Sequence, residues 1–348
     1  MVPDYRLRLF LSVDISGSTA FKYGSGRDGA SDESAPFHSR PKWLVETIKF
    51  YSGFDNILKR RIMATFKGAE QEQLASPKVW KAVGDEIIYV VTVVSVEHVA
   101  YVVTAFLETL FEYRERLVGT YPLDVKAAGW LAAFPAANVT VDLSDFDEDV
   151  ILNSKSEDNA DKRPINFDFL GAAIDCGFRV AKHSTPELMP LTLELAAVLA
   201  EASVRSKFSP SLLYRQREGL RGVLRDRPYP VIYVDTERRQ SRRLANAREA
   251  LLLGKQQPQP EAIRDFVFAF MEDEELELPF FEGDEQFKEP SSAYENYKKL
   301  NEGRLKEISD EDETQKKSQL EPDQNESCEA TSLPESVTKK LGLSEEEF

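Results

Sequence analysis

The sequence predicts an α+β domain followed by a helical extension and an acidic tail. Short apolar runs bounded by turn residues recur along the first two-thirds of the chain. Two of them, Val79-Trp80-Lys81-Ala82-Val83 and Glu86-Ile87-Ile88-Tyr89-Val90-Val91, meet at Gly84-Asp85, a hairpin turn signal. Two longer stretches, 42–66 and 97–119, repeat apolar residues at helical spacing. Charge then shifts sharply: residues 271–348 hold 24 acidic and 9 basic side chains, net −15, while residues 1–270 hold 36 and 35, net −1.

A first strand is expected over 5–14, where Leu9, Phe10, Leu11 and Val13 form an apolar run suited to a buried strand. Asp14 closes that run, and Ser16-Gly17-Ser18-Thr19 then supplies small residues and free backbone N–H groups. A carboxylate leaving a buried strand into a tight Gly/Ser turn can seat a divalent cation with phosphate oxygens beside it, or serve as a turn former or helix cap. Residues 24–41 are polar and Gly/Ser-rich. Their Gly24-Ser25-Gly26-Arg27-Asp28-Gly29 has GxGxxG spacing, but it neither directly follows a strand nor opens directly into a helix, so a flexible surface loop is expected rather than a dinucleotide site.

The helix over 42–66 carries Trp43, Leu44, Ile48, Phe50, Tyr51, Phe54, Ile57, Leu58 and Ile62. Asp85 belongs on the hairpin tip, where it can face Asp14 on a neighbouring strand; alone it reads as an ordinary turn residue. A second amphipathic helix over 97–119 presents Val99, Val102, Val103, Phe106, Leu107, Leu110 and Phe111, and a strand follows over 125–134. Residues 142–166 are acidic and polar, expected as a solvated loop. A strand-to-helix passage is expected over 167–183, a helix over 187–202, and closing strands over 212–222 and 230–234. Residues 237–271 read as helical, with Arg238, Arg239, Arg242, Arg243 and Arg248 on a solvated face. From 272 the chain has the composition of a disordered tail, with a short helix expected over 334–348.

Several function classes are excluded on composition. A net charge of −16 makes a poor general nucleic-acid binder. Cys176 and Cys328 give neither a disulfide framework nor a zinc pattern, and His38, His98 and His183 show no metal spacing. There is no apolar run near the ~20 residues of a membrane span and no signal peptide, so a cytosolic protein is expected.

Three motifs, in order and at matching internal spacing, resemble the class III nucleotidyl cyclase catalytic domain. They are Asp14-Ile15-Ser16-Gly17-Ser18-Thr19, Lys81-Ala82-Val83-Gly84-Asp85, and Asp168-Phe169-Leu170-Gly171 running on to Asp175 and Arg179. The resemblance covers about residues 5–236 and implies a ferredoxin-like fold, a central mostly antiparallel sheet with helices packed on it. The cyclase domain would then be 5–236, the helical extension 237–271 and the tail 272–348.

The resemblance also implies a chemistry, closure of a nucleoside triphosphate into a 3′,5′-cyclic nucleotide. Asp14 and Asp85 would bridge two divalent cations, Mn²⁺ or Mg²⁺, with the Ile15 carbonyl as a further ligand. Backbone amides of Ser16, Gly17, Ser18 and Thr19 would hold the terminal phosphates, and Arg179 the transition state. Asp175 stands where the family usually has a ribose-orienting Asn; it can accept from a ribose hydroxyl or contact a third group such as Lys182. Ser18 replaces the more frequent Phe, as in some bacterial members.

By the same resemblance, Lys81 and Asp168 fall where adenylyl-type members of the family read the base. A Lys donor beside an Asp acceptor suits adenine and cytosine, tolerates uracil and suits guanine worst. Phe50 and Tyr51 are core candidates that can also wall the base pocket. In the family the two metal aspartates come from one chain and Arg179, Lys81 and Asp168 from the other, implying a homodimer with shared sites.

The loop after Phe21-Lys22, the Trp43 helix start and Trp80-Lys81-Ala82-Val83-Gly84-Asp85-Glu86 look like the bacterial Pycsar pyrimidine cyclases of anti-phage defence. That likeness implies UTP as substrate and cyclic UMP as product, with CTP, then ATP, as alternatives. A separately encoded effector, not a stable partner, would receive the product. A non-catalytic nucleotide-binding pseudo-cyclase is disfavoured because both aspartates are present.

Overall fold

Strand β1, Arg6–Ser16, runs through the middle of a seven-stranded sheet and alternates its side chains between two different cores. The computed structural model describes residues 4–25, 41–67, 74–117, 123–144, 154–254 and 258–302. In chain order the elements are β1, α1 (Ser18–Ser25), α2 (Lys42–Thr65), β2 (Lys78–Val83), β3 (Glu86–Val93), α3 (Val96–Leu117), β4 (Asp124–Phe134), β5 (Asn138–Asp142) and α4 (Ser154–Lys162). There follow β6 (Phe167–Gly171), α5 (Ala172–Ala181), β7 (Leu188–Leu191), α6 (Leu193–Val204), β8 (Leu212–Glu218), β9 (Tyr229–Asp235), α7 (Gln240–Leu252) and α8 (Pro260–Asp273).

The large sheet has the order β2-β3-β1-β4-β7-β9-β8, and β5 pairs with β6 in a small second sheet. Every pairing is antiparallel except β4 with β7. The fold is thus α+β with a mostly antiparallel central sheet, as expected.

Leu7, Leu9, Leu11, Val13 and Ile15 face the larger core, with Phe50, Phe54 and Phe106 from α2 and α3. Phe10 faces the smaller one, stacked on Trp130 at 5.5 Å and 2° and edged by Trp80 and Phe169. Helix α5 reaches this second face through Gly177, which lies directly on the Trp130 ring.

Four expectations need correction. The stretch 187–202 is not one helix: Leu188–Leu191 form β7 and only Leu193–Val204 are helical. All four β7 residues are buried between β4 and β9, and a short wholly apolar run has no period to separate strand from helix. Residues 142–166 are not all solvated loop, because α4 places Glu157, 2% exposed, 2.7 Å from Arg8, which is itself 1% exposed. The acidic stretch from 272 begins as packed structure. Phe281 and Phe287 are buried, and the Tyr5 backbone N–H donates to the Tyr294 hydroxyl at 3.1 Å. Finally, α1 takes Gly24 and Ser25 from the expected loop.

The remainder of the GxGxxG loop, the middle of the 142–166 insertion and the expected helix over 334–348 lie outside the described residues. Helix α7 has no buried residue, and Arg238, Arg239, Arg242 and Arg243 pair with acids around it. Among the described residues no helix is long and apolar enough to cross a membrane.

Candidate active site

The site is built where β1 ends against the β2–β3 hairpin. Asp14 lies opposite Glu86 in the β1–β3 register, and the Ile15 N–H donates to the Asp85 carbonyl at 3.3 Å. Asp14, Ile15 and Asp85, 71 positions apart at the extremes, therefore meet at one sheet end. The chain turns away from β1 at Gly17, whose φ of 88° lies in the left-handed region that suits glycine. Helix α1 starts at Ser18, so Ser16, Gly17, Ser18 and Thr19 form a strand-to-helix turn with the first amides of α1 unpaired by the helix itself.

Each aspartate has a lysine counter-ion. Lys126 Nζ lies 3.2 Å from Asp14 Oδ2, and Lys22 Nζ lies 3.1 Å from Asp85 Oδ1. Burial pushes the Asp14 carboxyl above its ordinary value; Lys126 opposes this, while the charges of Asp85 and Glu86 reinforce it. The ammonium groups of Lys126 and Lys22 offset part of this negative charge. Glu86 is in turn held by the Ser12 hydroxyl, which donates to Oε1 at 2.5 Å. Periodicity gives no sign of Lys126, Lys22, Glu86 or Ser12 as site neighbours; only strand pairing and helix placement bring them in.

Hard divalent cations prefer carboxylate and carbonyl oxygens, and Asp14, Asp85 and the Ile15 carbonyl are that donor type. Among the described residues there is no group of three or more His, Cys, Asp or Glu side chains arranged to hold a metal ion.

The other expected residues divide into two sets. Phe50 is fully buried among Phe54 and Tyr113, so it is a core residue and does not wall a pocket. Tyr51, the next residue, is half-buried and its hydroxyl donates to the Gly84 carbonyl beside Asp85. Lys81 and Asp168 are brought together, Nζ to Oδ1 at 2.6 Å, by β2 and β6; the Trp80 indole N–H donates to the Phe167 carbonyl at 3.0 Å and ties these strands.

Arg179 and Asp175 both lie on α5, with Asp175 exposed and Arg179 half-exposed near Gly222 of the β8–β9 connection. Among the described residues no hydrogen bond or ion pair joins Asp175 to Lys182, or joins Arg179, Lys81 or Asp168 to Asp14 or Asp85. A groove of about 580 Å³ lies elsewhere, between α2, α3 and the start of α7, and its charges are matched internally, as Arg61 is with Glu108 and Glu112.

No family model and no curated protein sequence matches this chain. Solved structures similar to it include the adenylyl cyclase CyaB from P. aeruginosa, at 12% identity and a TM-score of 0.42, covering 68% of this chain and 97% of that one. The guanylate cyclase domain of RhGC from Catenaria anguillulae, in complex with GTP, aligns at 13% identity and a TM-score of 0.41, covering 68% of this chain and 100% of that one. The guanylyl cyclase Cya2 aligns at 13% identity and a TM-score of 0.39, covering 68% and 93%.

Proposed function

We propose that the chain is a nucleotidyl cyclase of the class III type that converts UTP to 3′,5′-cyclic UMP and pyrophosphate. The observation that carries this reading is the meeting of Asp14 and Asp85 beside the Ser16–Thr19 turn, at the joint of β1 and the β2–β3 hairpin.

In this reading Asp14, Asp85 and the Ile15 carbonyl hold two divalent cations, Mn²⁺ or Mg²⁺. When bound, these lower the pKa of the ribose 3′-hydroxyl and neutralise charge on the phosphates. Amides at the start of α1 cradle the terminal phosphates, where the helix end favours anions. The 3′-oxygen, on losing its proton, forms a bond to the α-phosphorus as the bond to pyrophosphate breaks. Arg179 donates to the oxygens that gain charge at that phosphorus, and its guanidinium can do so bidentately. Asp175 accepts from a ribose hydroxyl. Lys81 and Asp168 separate from each other to read the base edge. The family resemblance supports a homodimer, and among the described residues no hydrogen bond or ion pair joins Arg179, Lys81 or Asp168 to Asp14 or Asp85. Each protomer then supplies one half of each of two sites.

The Pycsar-like segments support a pyrimidine product and a role in anti-phage signalling through a separate cyclic-nucleotide effector. The Lys81–Asp168 pair presents a donor and an acceptor that suit cytosine directly and uracil only with a small shift of the base, so CTP is the second substrate reading. Incubation of the purified chain with each of the four triphosphates and Mn²⁺, followed by mass analysis, tests the assignment. Cyclic UMP as main product, lost in Asp14→Asn and Asp85→Asn, is expected. Cyclic AMP as main product overturns the pyrimidine reading, and no cyclic product from any triphosphate overturns the cyclase reading.

A further inference from the structure

The hairpin tip that carries Asp85 is held from three sides by groups of different kinds. Gly84, with φ of 66°, takes the left-handed conformation that the turn requires and that suits glycine. The Ile15 N–H holds the Asp85 carbonyl, Lys22 holds the Asp85 carboxylate, and the Tyr51 hydroxyl from α2 holds the Gly84 carbonyl. These contacts differ in what becomes of them when a cation arrives. The Lys22 ammonium sits on Asp85 Oδ1, an oxygen that a metal ion needs, so the two compete. Tyr51 uses only backbone oxygen of the preceding residue, so its contact survives metal entry.

We propose that Tyr51 and Lys22 act on metal binding in opposite directions: Tyr51 is a positioning residue that holds Asp85 in its ligating place, and Lys22 is an internal counter-ion that a divalent cation must displace. This rests on the metal-dependent reading above and gives Tyr51 a role other than walling a base pocket. The surroundings agree with it. Asp14, Asp85 and Glu86 carry like charge at one strand end, and Lys126 and Lys22 offset part of it, so the charged contacts there change when a cation replaces Lys22. The Tyr51 hydroxyl is a neutral tie, unaffected by which cation neutralises the carboxylates. Lys22 also lies over the Trp43 ring at 5.9 Å, which leaves the ammonium an alternative seat when it is displaced.

The test is titration of the full-length chain with Mn²⁺ alone, read by loss of the free-ion electron paramagnetic resonance signal. It uses wild type, Asp85→Asn, Tyr51→Phe and Lys22→Met. Tyr51→Phe should weaken Mn²⁺ binding roughly three- to tenfold, the worth of one net hydrogen bond, and Lys22→Met should tighten it by a similar factor. The same opposed shifts are expected in the Mn²⁺ concentration for half-maximal turnover, with the ratio of pyrimidine to purine products unchanged. Melting curves check that each variant is folded, and the half-exposed Lys22 keeps the test alive should Tyr51→Phe destabilise the chain. If Asp85→Asn binds Mn²⁺ as wild type does, or wild type does not bind it, the metal reading itself fails. If Asp85→Asn loses binding while Tyr51→Phe and Lys22→Met are unchanged or shift the same way, this inference alone is overturned. A change of base selectivity in Tyr51→Phe without a change in Mn²⁺ binding overturns it too.

Discussion

At Gly177 an added Cβ would sit 2.4 Å from Cγ of Trp130, far inside contact distance. The ring cannot yield, because Trp130 is fully buried and stacked on Phe10. Gly177 thus lets α5 rest on the sheet, and Arg179 follows two residues later on the same helix. Gly177→Ala should destabilise the fold by about 1–3 kcal/mol, read by denaturant unfolding, through overpacking of a rigid contact. It should also reduce turnover by moving Arg179, whereas a surface substitution such as Ala172→Ser on the same helix should do neither. The residue scale also separates neighbours that look alike in sequence. Phe50 and Tyr51 are both aromatic and adjacent, yet successive residues on a helix point about 100° apart, so one fills the core and the other reaches the Gly84 carbonyl.

Among elements, the acidic segment after α8 is the one whose role changes most on folding. Phe281 and Phe287 insert into the main core, each burial stabilising by about 1.5–3 kcal/mol. Asp284 fixes the segment to the end of α6 through a two-bond pair with Arg205, at 2.6 and 2.9 Å. The Arg205 guanidinium, with the Gln286 and Phe287 N–H groups, holds the Asp284 carboxyl below its ordinary value of 3.8. A carboxyl with a depressed folded-state pKa adds stability that is present above the unfolded value and lost as pH falls through the folded one. Asp284→Asn should therefore cost about 1–3 kcal/mol near neutral pH. The gap between wild type and variant should persist down to about pH 4 and close below it, as measured by unfolding free energy against pH. No gap at neutral pH would mean that packing of Phe281 and Phe287, and not the ion pair, holds the segment.

For the whole molecule, the arrangement of charged groups sets the expected assembly. One end of the sheet offers paired carboxylates, and α5, β2 and β6 offer Arg179, Lys81 and Asp168, with no hydrogen bond or ion pair between the two sets among the described residues. If two copies complete each other about a two-fold axis, mixing Asp14→Ala and Arg179→Ala chains restores one site in each heterodimer. Each variant alone should be inactive. An equimolar mixture should recover up to roughly a quarter of wild-type turnover, since half the dimers are mixed and each has one of two sites intact. No recovery would reject the shared site.

The strand-end aspartate, the Gly84-Asp85 hairpin, the faces of α2 and α3 and the strand-to-helix motif at Asp168 were all legible in the sequence, because turn chemistry and the spacing of apolar residues are local properties. Tertiary structure alone decided that Leu188–Leu191 join the sheet, that Glu157 is buried against Arg8, that Phe50 and not Tyr51 fills the core, and that Lys126 and Lys22 neutralise the two aspartates. Each of those outcomes depends on which distant segment comes to lie alongside. Pairing and burial across many residues are set by how the elements fill space together, and no local period records them.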